Sequence, residues 1–308
     1  MGPGDLHIFS LKKGAIIKII YGCNHKCSFC HEKDNIASLD FRSLKIENLQ
    51  DIYTWIHSNG FDYIILSGGE PTLHPHLVDF IVFFQEKGIY VVVVNNGTHL
   101  HKHDFSKVNK DKITFYISYH GQKEYYNDIT GSHDFDIVTK NIKMLAERFP
   151  EVILRCVLNY KNLESIEDFT LEALSLSPSV YLEFILPEDL KYEHVNKVSI
   201  PLKEYHVLVL KYLKNKRILF DGGAGCFHPK IFEILETRFD PLVNTMIGRV
   251  KKDKTGLLFN IKTQDSEHNI KSFWKKCSQC KKKSFCHGFD ILYLQKFSKN
   301  IPIEDGKV

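Results

Sequence analysis

Residues 15–30 read Ala-Ile-Ile-Lys-Ile-Ile-Tyr-Gly-Cys-Asn-His-Lys-Cys-Ser-Phe-Cys, an apolar run followed by three closely spaced cysteines. Residues 15–21 are mostly β-branched and lie between Gly14 and Gly22, which predicts a short buried strand. The three cysteines therefore fall in the loop that leaves this strand. In sheets of parallel strands, such loops are where functional sites are built.

The same strand-forming pattern returns five times along the chain, and most of the strands are followed by a segment with helical spacing. Further strands are predicted at 62–67, 90–94, 113–118, 152–158 and 180–185, and helices at 46–59, 75–87, 135–148, 163–175 and 202–214. Buried strands alternating with helices are typical of a parallel sheet that is covered by helices. Six strand–helix units thus predict an α/β fold.

Composition excludes several classes of protein. The chain has 308 residues, 43% hydrophobic and 25% charged, as in ordinary globular proteins. A net charge of +4 is too small to indicate nucleic-acid binding by itself, and the lysine-rich runs 251–254 and 275–283 are expected to be solvated surface. No apolar run has the length of a membrane span, and no secretion signal begins the chain. We expect a cytoplasmic protein with no membrane partner.

The eight cysteines are clustered in spacings that indicate metal sites, not disulfides. Cys23, Cys27 and Cys30 form a C-x3-C-x2-C pattern. A structural zinc site needs four ligands, so zinc would require His25 or His31 as the fourth. Three thiolates suit a four-iron cluster better, because each binds one iron and the last iron stays open for another ligand.

The stretch Cys23-Asn-His-Lys-Cys27-Ser-Phe-Cys30, with Phe29 before the last cysteine, resembles the signature of the radical S-adenosylmethionine (SAM) superfamily. The resemblance covers residues 15 to about 214 and implies a partial (β/α)6 TIM-like barrel. It also implies a [4Fe-4S] cluster on the three cysteines, with SAM chelated to the open iron. An electron from a small flavodoxin or ferredoxin would then break a C–S bond of SAM, and the 5′-deoxyadenosyl radical would take hydrogen from a substrate.

The ends of the second and third strands carry candidate SAM ligands. Ser67-Gly68-Gly69-Glu70-Pro71 follows the second strand, and glycines let the backbone approach a ligand closely. The resemblance assigns this Gly68-Gly69-Glu70-Pro71 motif to the amino group of SAM. Asn95-Asn96-Gly97-Thr98 ends the third strand. It is either a simple turn or a turn from which one asparagine lines the SAM site.

Later strand ends supply further candidates. Ser118 resembles the family position that contacts the ribose or carboxylate of SAM. On the fifth strand, alternation places Arg155 and Asn159 on one face, toward SAM in the family, and Cys156 on the other face, in the core. His120 is expected in a surface loop, and the alternative is a position that faces the substrate. Candidates for shaping a substrate pocket at the barrel mouth are Tyr116, Tyr119, Glu183 and Phe184, and their alternative role is core packing or surface.

A second cysteine group lies near the C-terminus. Cys277, Cys280 and Cys286 read C-x2-C-x5-C and are followed by His287-Gly288, which resembles the end of a SPASM/twitch appendage. Gly223-Ala-Gly225-Cys226 resembles the first cysteine of that appendage. The full SPASM form has more cysteines and holds two auxiliary clusters. Four cysteines suffice for one, so the shorter twitch form is predicted.

Three interpretations of this group stay open. All four cysteines could ligate one auxiliary [4Fe-4S] cluster, or only the last three could do so. In the latter case the Cys226 thiol is available to donate a hydrogen atom to a substrate radical. Structural zinc is the third interpretation.

These observations divide the chain into an N-terminal segment, a radical SAM core, an auxiliary-cluster domain and a tail, at 1–14, 15–215, 216–296 and 297–308. Only 14 residues precede the first strand, so no leader-peptide-binding domain is expected. The predicted function is hydrogen abstraction from a peptide or small metabolite in natural-product biosynthesis, leading to epimerisation, oxidation or cross-linking. The alternatives are a maturase that modifies a protein or RNA and, more remotely, a non-catalytic zinc module that binds nucleic acid.

Overall fold

A computed structural model describes residues 13–30, 43–186, 200–212, 214–221, 247–252, 257–262, 271–272 and 289–290. The strands are β1 (Gly14–Ile20), β2 (Tyr63–Gly68), β3 (Tyr90–Asn95), β4 (Ile113–Ser118), β5 (Val152–Val157), β6 (Val180–Ile185), β7 (Ile218–Asp221), β8 (Ile247–Lys252), β9 (Leu257–Lys262), β10 (Lys271–Ser272) and β11 (Phe289–Asp290). The helices are α1 (Leu49–Ser58), α2 (Leu77–Glu86), α3 (Lys123–Thr130), α4 (Phe135–Arg148), α5 (Ile166–Ser175) and α6 (Leu202–Tyr212).

A nine-stranded sheet is the centre of the described structure. Its strand order is β7-β6-β5-β4-β3-β2-β1-β8-β9. All neighbours from β7 to β8 are parallel, and only β9 runs antiparallel to its neighbour. The α/β fold with a parallel, partial TIM-like barrel is therefore confirmed, and all six predicted strands are present. Among the helices in the described ranges, none is both long and apolar enough to cross a membrane.

Two segments beyond residue 215 extend this sheet on both sides. Strand β7 pairs with β6, and β8 pairs with β1. Strand β7 was not predicted from the sequence, because four residues are too few to show a clear alternation. The domain boundary at residue 215 stays a prediction, although the core sheet includes strands from the C-terminal side of it.

Both faces of the sheet are buried, which explains why its strands are nearly continuous apolar runs. One face packs against the helices through side chains such as Ile17, Val91 and Leu154, all fully buried. The other face carries a second cluster at the barrel interior: Tyr63, Tyr90, Val92, Tyr116, Ile153, Tyr181 and Leu219. Gly14 is required beside this cluster, because a Cβ there would lie 2.2 Å from the Tyr63 ring.

Helix α3 (Lys123–Thr130) was not predicted. Its sequence, Lys-Glu-Tyr-Tyr-Asn-Asp-Ile-Thr, is short and mostly polar, and its buried positions Tyr126, Ile129 and Thr130 span little more than one turn. The helix ends at Gly131, whose φ of 61° is the left-handed conformation common at helix C-termini. This helix lies between β4 and α4 and packs beneath the cysteine loop, so it matters for the site.

Candidate functional site

The backbone at the end of β1 is hydrogen-bonded directly to the loop that follows β2. The Gly69 N–H donates to the Ile20 carbonyl and the Glu70 N–H to the Gly22 carbonyl, both at 2.8 Å. A Cβ on Gly68 would lie 1.9 Å from the Ile20 oxygen, and one on Gly69 would lie 2.2 Å from the Gly22 oxygen. Glycine is required at both positions, because no side chain fits between the two backbones.

The Glu70 carboxylate ties the end of β2 to the end of β3. It is fully buried and accepts from Thr72 N (2.8 Å), Thr72 Oγ1 (2.5 Å) and Asn96 N (2.6 Å). Burial raises its pKa to about 7, although these hydrogen bonds lower it. Pro71 begins the 3-10 turn that Glu70 caps. A carboxylate has about four acceptor sites, so one remains for a ligand such as an amino group.

The end of β3 also holds the cysteine loop. Asn96 Nδ2 donates to Asn24 Oδ1 at 2.8 Å, and Asn24 Nδ2 donates to Thr98 Oγ1 at 3.1 Å. Asn95 forms the turn itself, because its Oδ1 accepts from the Gly97 N–H at 2.9 Å. The two asparagines thus have different roles: Asn95 shapes the turn, whereas Asn96 joins the turn to the cysteine loop.

Helix α3 supports the loop from the other side. The N–H groups of Lys26 and Ser28 donate to the carbonyls of Thr130 (2.9 Å) and Ile129 (3.0 Å). These carbonyls belong to the last turn of a helix, where intrahelical partners are missing. Because the two donors flank Cys27, this residue is held over the C-terminal turn of α3.

The thiols of Cys23, Cys27 and Cys30 are half-buried on this anchored loop and are not in disulfides. Burial raises the pKa of Cys23 to about 11. Burial, followed by the charges of Cys23 and Cys30, raises the pKa of Cys27 to about 12. The three thiols are therefore near enough to affect one another. In the described part of the chain, no three Cys, His, Asp or Glu residues are placed to hold a single metal ion. A cluster takes each thiolate on a different iron, and this donor set fits that group.

His25, one of the two possible zinc ligands, contacts Asp134 through its Nε2 atom. This atom lies 3.0 Å from Asp134 Oδ2, and the ring packs edge-on against Tyr126. Burial lowers the pKa of His25, although Asp134 raises it. The contact joins the cysteine loop to Asp134, the residue before α4. His31, the other possible zinc ligand, lies outside the described residues.

Ser118, Arg155 and Glu183 form a row across three neighbouring strands. Ser118 lies opposite Arg155, and Arg155 lies opposite Glu183. Arg155 Nε and Glu183 Oε2 are 2.5 Å apart, and the guanidinium lies over the Tyr116 ring at 4.6 Å. Glu183 is 2% exposed, so the pairing offsets much of the cost of burying its charge. The row places two predicted SAM ligands side by side on the inner face.

The structure corrects three expectations about the barrel mouth. His120 is buried, not in a surface loop, and its Nδ1 accepts from the Val157 N–H at 3.2 Å. Tyr119 and Phe184 belong to the core between the sheet and the helices, so they do not line a pocket. Alternation along β6 (Val180–Ile185) explains this for Phe184, because its neighbour Glu183 takes the inner face.

The remaining predicted residues have structural contacts. Phe29 packs edge-on against His120, with ring centroids 4.7 Å apart. Asn159 is buried, and its Oδ1 accepts from the Lys161 N–H at 3.0 Å, as in a turn. The core position of Cys156 is confirmed, since it is fully buried. The second group, Cys226, Cys277, Cys280 and Cys286, lies outside the described residues.

Sequence reasoning missed three residues that hold the loop: Asn24, Thr98 and Asp134. Only Asp134 had a usable signal, because aspartate directly before a helical pattern predicts a helix N-cap. Even so, its side chain contacts His25 and does not cap α4. Asn24 and Thr98 are 74 positions apart, and no local pattern predicts their contact.

Comparison with known proteins identifies the family. The profile described as the radical SAM superfamily matches residues 17–173, about half of the chain. A SAM-dependent nucleotide dehydratase of Flammeovirga pacifica is 28% identical over 227 residues, which cover 66% of this chain and 73% of that protein. The subtilosin biosynthesis protein AlbA of Bacillus subtilis is 24% identical over 177 residues, 56% of this chain and 39% of AlbA.

Among solved structures, SuiB of Streptococcus suis, bound to the precursor peptide SuiA, superposes with a TM-score of 0.63. The superposition covers 93% of this chain and 73% of SuiB, at 15% sequence identity. At this identity the likeness concerns the fold alone.

We expect Gly69→Ala to reduce cluster loading. The new methyl group would push the cysteine loop away from the end of β2, and losing the contacts that orient metal ligands typically lowers metal affinity about tenfold or more. The measurement is iron bound per chain after anaerobic reconstitution with iron and sulfide. Gly88→Ala is the matched control, because Gly88 has a φ of 83° but no atom within 4 Å of an added Cβ. Full iron loading in Gly69→Ala would contradict the close-approach argument.

We expect His120 to make the metal-free protein acid-sensitive. Burial, and then His25, lowers its pKa from 6.5 to about 3, so the unfolded chain binds a proton that the folded chain excludes. The stability that neutral His120 contributes is complete above pH 6.5 and is lost as the pH falls toward 3. One such proton gives a slope of about 1.4 kcal/mol per pH unit.

The variant His120→Asn tests this, because the Asn side-chain oxygen can accept from the Val157 N–H without titrating. Urea unfolding of reduced, metal-free protein between pH 7 and pH 5 should show a shallower pH dependence in the variant. Equal slopes in the two proteins would show that His120 is not the group responsible.

Proposed function

The chain belongs to the radical SAM superfamily, and on this basis we propose that it cleaves SAM reductively to abstract hydrogen from a peptide or small metabolite. The observation that supports this most is the anchored loop of Cys23, Cys27 and Cys30. That loop lies beside Gly69 and Glu70, where the backbone of the SAM motif meets the exit of β1. Members of this superfamily are enzymes, and the nearby motif has no use in the alternative zinc-binding account.

Each part of the site has a proposed task. The three thiolates would hold a [4Fe-4S] cluster, which supplies one electron to SAM and so generates a 5′-deoxyadenosyl radical. The remaining acceptor site of Glu70 would bind the amino group of SAM. Because Gly68 and Gly69 have no side chains, the backbone at these positions can approach SAM closely.

The row on the inner face would bind the rest of SAM and orient it toward the substrate. Ser118 would contact the ribose or carboxylate of SAM. Arg155 would contribute a positive charge, and its contact with Glu183 would fix the orientation of the guanidinium. Tyr116 supports the guanidinium from below. The substrate would then enter from the barrel mouth, above the tyrosine-rich cluster of the interior.

The proposed substrate class is a peptide or small metabolite modified in natural-product biosynthesis, by epimerisation, oxidation or cross-linking. SuiB was solved with a precursor peptide, and AlbA is named for the biosynthesis of a bacteriocin, which favours a peptide. The nucleotide dehydratase among the relatives favours a small metabolite instead. A maturase acting on protein or RNA is the alternative, and a flavodoxin or ferredoxin is the proposed electron donor.

We further propose that Cys226, Cys277, Cys280 and Cys286 hold a second, auxiliary [4Fe-4S] cluster in a twitch-type domain. The spacing C-x2-C-x5-C supports this proposal, as does the count of four cysteines. If three of them suffice, the Cys226 thiol becomes a hydrogen donor to the substrate radical, because its S–H bond is weak.

The first test is formation of 5′-deoxyadenosine by reconstituted protein given SAM and dithionite under anaerobic conditions. We expect product from the parent and none from Cys30→Ala, since two thiolates cannot hold the cluster. Cys156→Ala is the matched control, because it removes a buried cysteine that faces the helices. It should keep the activity. Absence of iron uptake by the parent would overturn the proposed function.

The role of Cys226 is tested by Cys226→Ala, with iron per chain and modified substrate measured together. If Cys226 is a ligand, iron should fall by about half, because one of two four-iron clusters is lost. If it is a hydrogen donor, iron should be retained while the modified product disappears and 5′-deoxyadenosine is still formed. Unchanged iron and unchanged product would exclude both roles.

A further inference from the structure

Helix α3 carries two buried polar atoms that lack a hydrogen-bond partner, the Tyr126 hydroxyl and the Oδ1 atom of Asn127. Buried polar groups in native proteins nearly always have a partner, and an unpaired one is destabilising. Phenylalanine would fill the same space as Tyr126 without this cost. Such a hydroxyl therefore points to a ligand that is bound in the working protein.

The Tyr126 ring is fixed in one position by four aromatic neighbours. The side chain is fully buried, and its ring centroid lies 5.6–6.4 Å from those of His25, Tyr119, Phe135 and His120. His25 precedes Cys27 by two residues. His120 in turn contacts Phe29, which follows Cys27 by two residues. The ring thus packs beneath the part of the loop that is centred on Cys27.

The backbone confirms this placement. The hydrogen bonds of Lys26 and Ser28 hold Cys27 over the last turn of α3, and Thr130 Oγ1 of that turn donates to the Tyr126 carbonyl at 2.7 Å. Burial raises the pKa of the Tyr126 hydroxyl, and the nearby Cys27 thiol raises it further. The Tyr126 ring therefore packs against the part of the loop that carries Cys27, a predicted cluster ligand, and its hydroxyl is buried without a partner.

We propose that the Tyr126 hydroxyl donates a hydrogen bond to a sulfur of the iron–sulfur cluster at Cys27, either the thiolate or an adjoining sulfide. This inference rests on the proposed function, since it needs the cluster. A donor to a cluster sulfur stabilises the reduced state, which carries more negative charge, and so raises the reduction potential. Tyr126 would then make the cluster easier to reduce without touching SAM or substrate.

The proposal is tested by comparing Tyr126→Phe with the parent in a redox titration followed by electron paramagnetic resonance. The signal that changes on addition of SAM identifies the cluster with the open iron and separates it from an auxiliary cluster. We expect Tyr126→Phe to load iron fully but to have a lower midpoint potential. A tenfold lower ratio of reduced to oxidised cluster at fixed potential corresponds to about 59 mV for one electron.

Tyr119→Phe is the matched control. Its ring packs against Tyr126, but its hydroxyl already has a partner, Thr139 Oγ1, at 3.0 Å. We expect its cluster potential to equal that of the parent and its metal-free form to unfold at a lower urea concentration. Metal-free Tyr126→Phe should unfold at the same or a higher concentration, because it loses only an unpaired group.

Two results would overturn the proposal: an unshifted midpoint in iron-loaded Tyr126→Phe, or a metal-free variant less stable than the parent, which would mean that the hydroxyl has a protein partner. Failure of the proposed function looks different. In that case the parent itself takes up no iron, so no cluster exists for Tyr126 to contact.

Discussion

The close approach of two backbones is the constraint on which the candidate site depends. The exit of β1 runs against Gly68 and Gly69 so tightly that a Cβ on either would overlap a carbonyl oxygen. Because no side chain separates the two segments, their N–H and carbonyl groups can pair directly. This contact places the cysteine loop beside the end of β2. The other contacts of the loop stabilise it in this position, which Gly68 and Gly69 make possible.

Contacts within the protein hold the cysteine loop from several directions. The end of β3 contacts it through Asn96, α3 through Ile129 and Thr130, and the start of α4 through Asp134. Such support reduces the ordering that metal binding would otherwise require. Burial raises the pKa of the Cys23 and Cys27 thiols, so the protonated form is favoured until a metal binds. Binding of a metal to thiolates releases protons.

The polarity of the side chains in the barrel interior changes along the barrel axis. Tyrosines and aliphatic side chains fill one level, where Tyr90 and Thr114 bond to each other at 2.7 Å. The next level, toward the strand C-termini, carries the row of Ser118, Arg155 and Glu183. The apolar level closes the interior, while the polar level meets the proposed ligand.

The sequence by itself determined the six predicted strands, their alternation with helices, the two strand-end motifs and the core position of Cys156. These features follow from short periods and from neighbouring residues, so a local pattern is enough to predict them. Only the tertiary structure placed His120 inside, assigned Tyr119 and Phe184 to the outer core, and brought β7 and β8 to the two sides of the six-strand unit. It alone also paired Arg155 with Glu183 and packed the Tyr126 ring against the part of the loop that carries Cys27. These contacts join residues far apart in sequence, and their geometry is fixed by packing that no local pattern encodes.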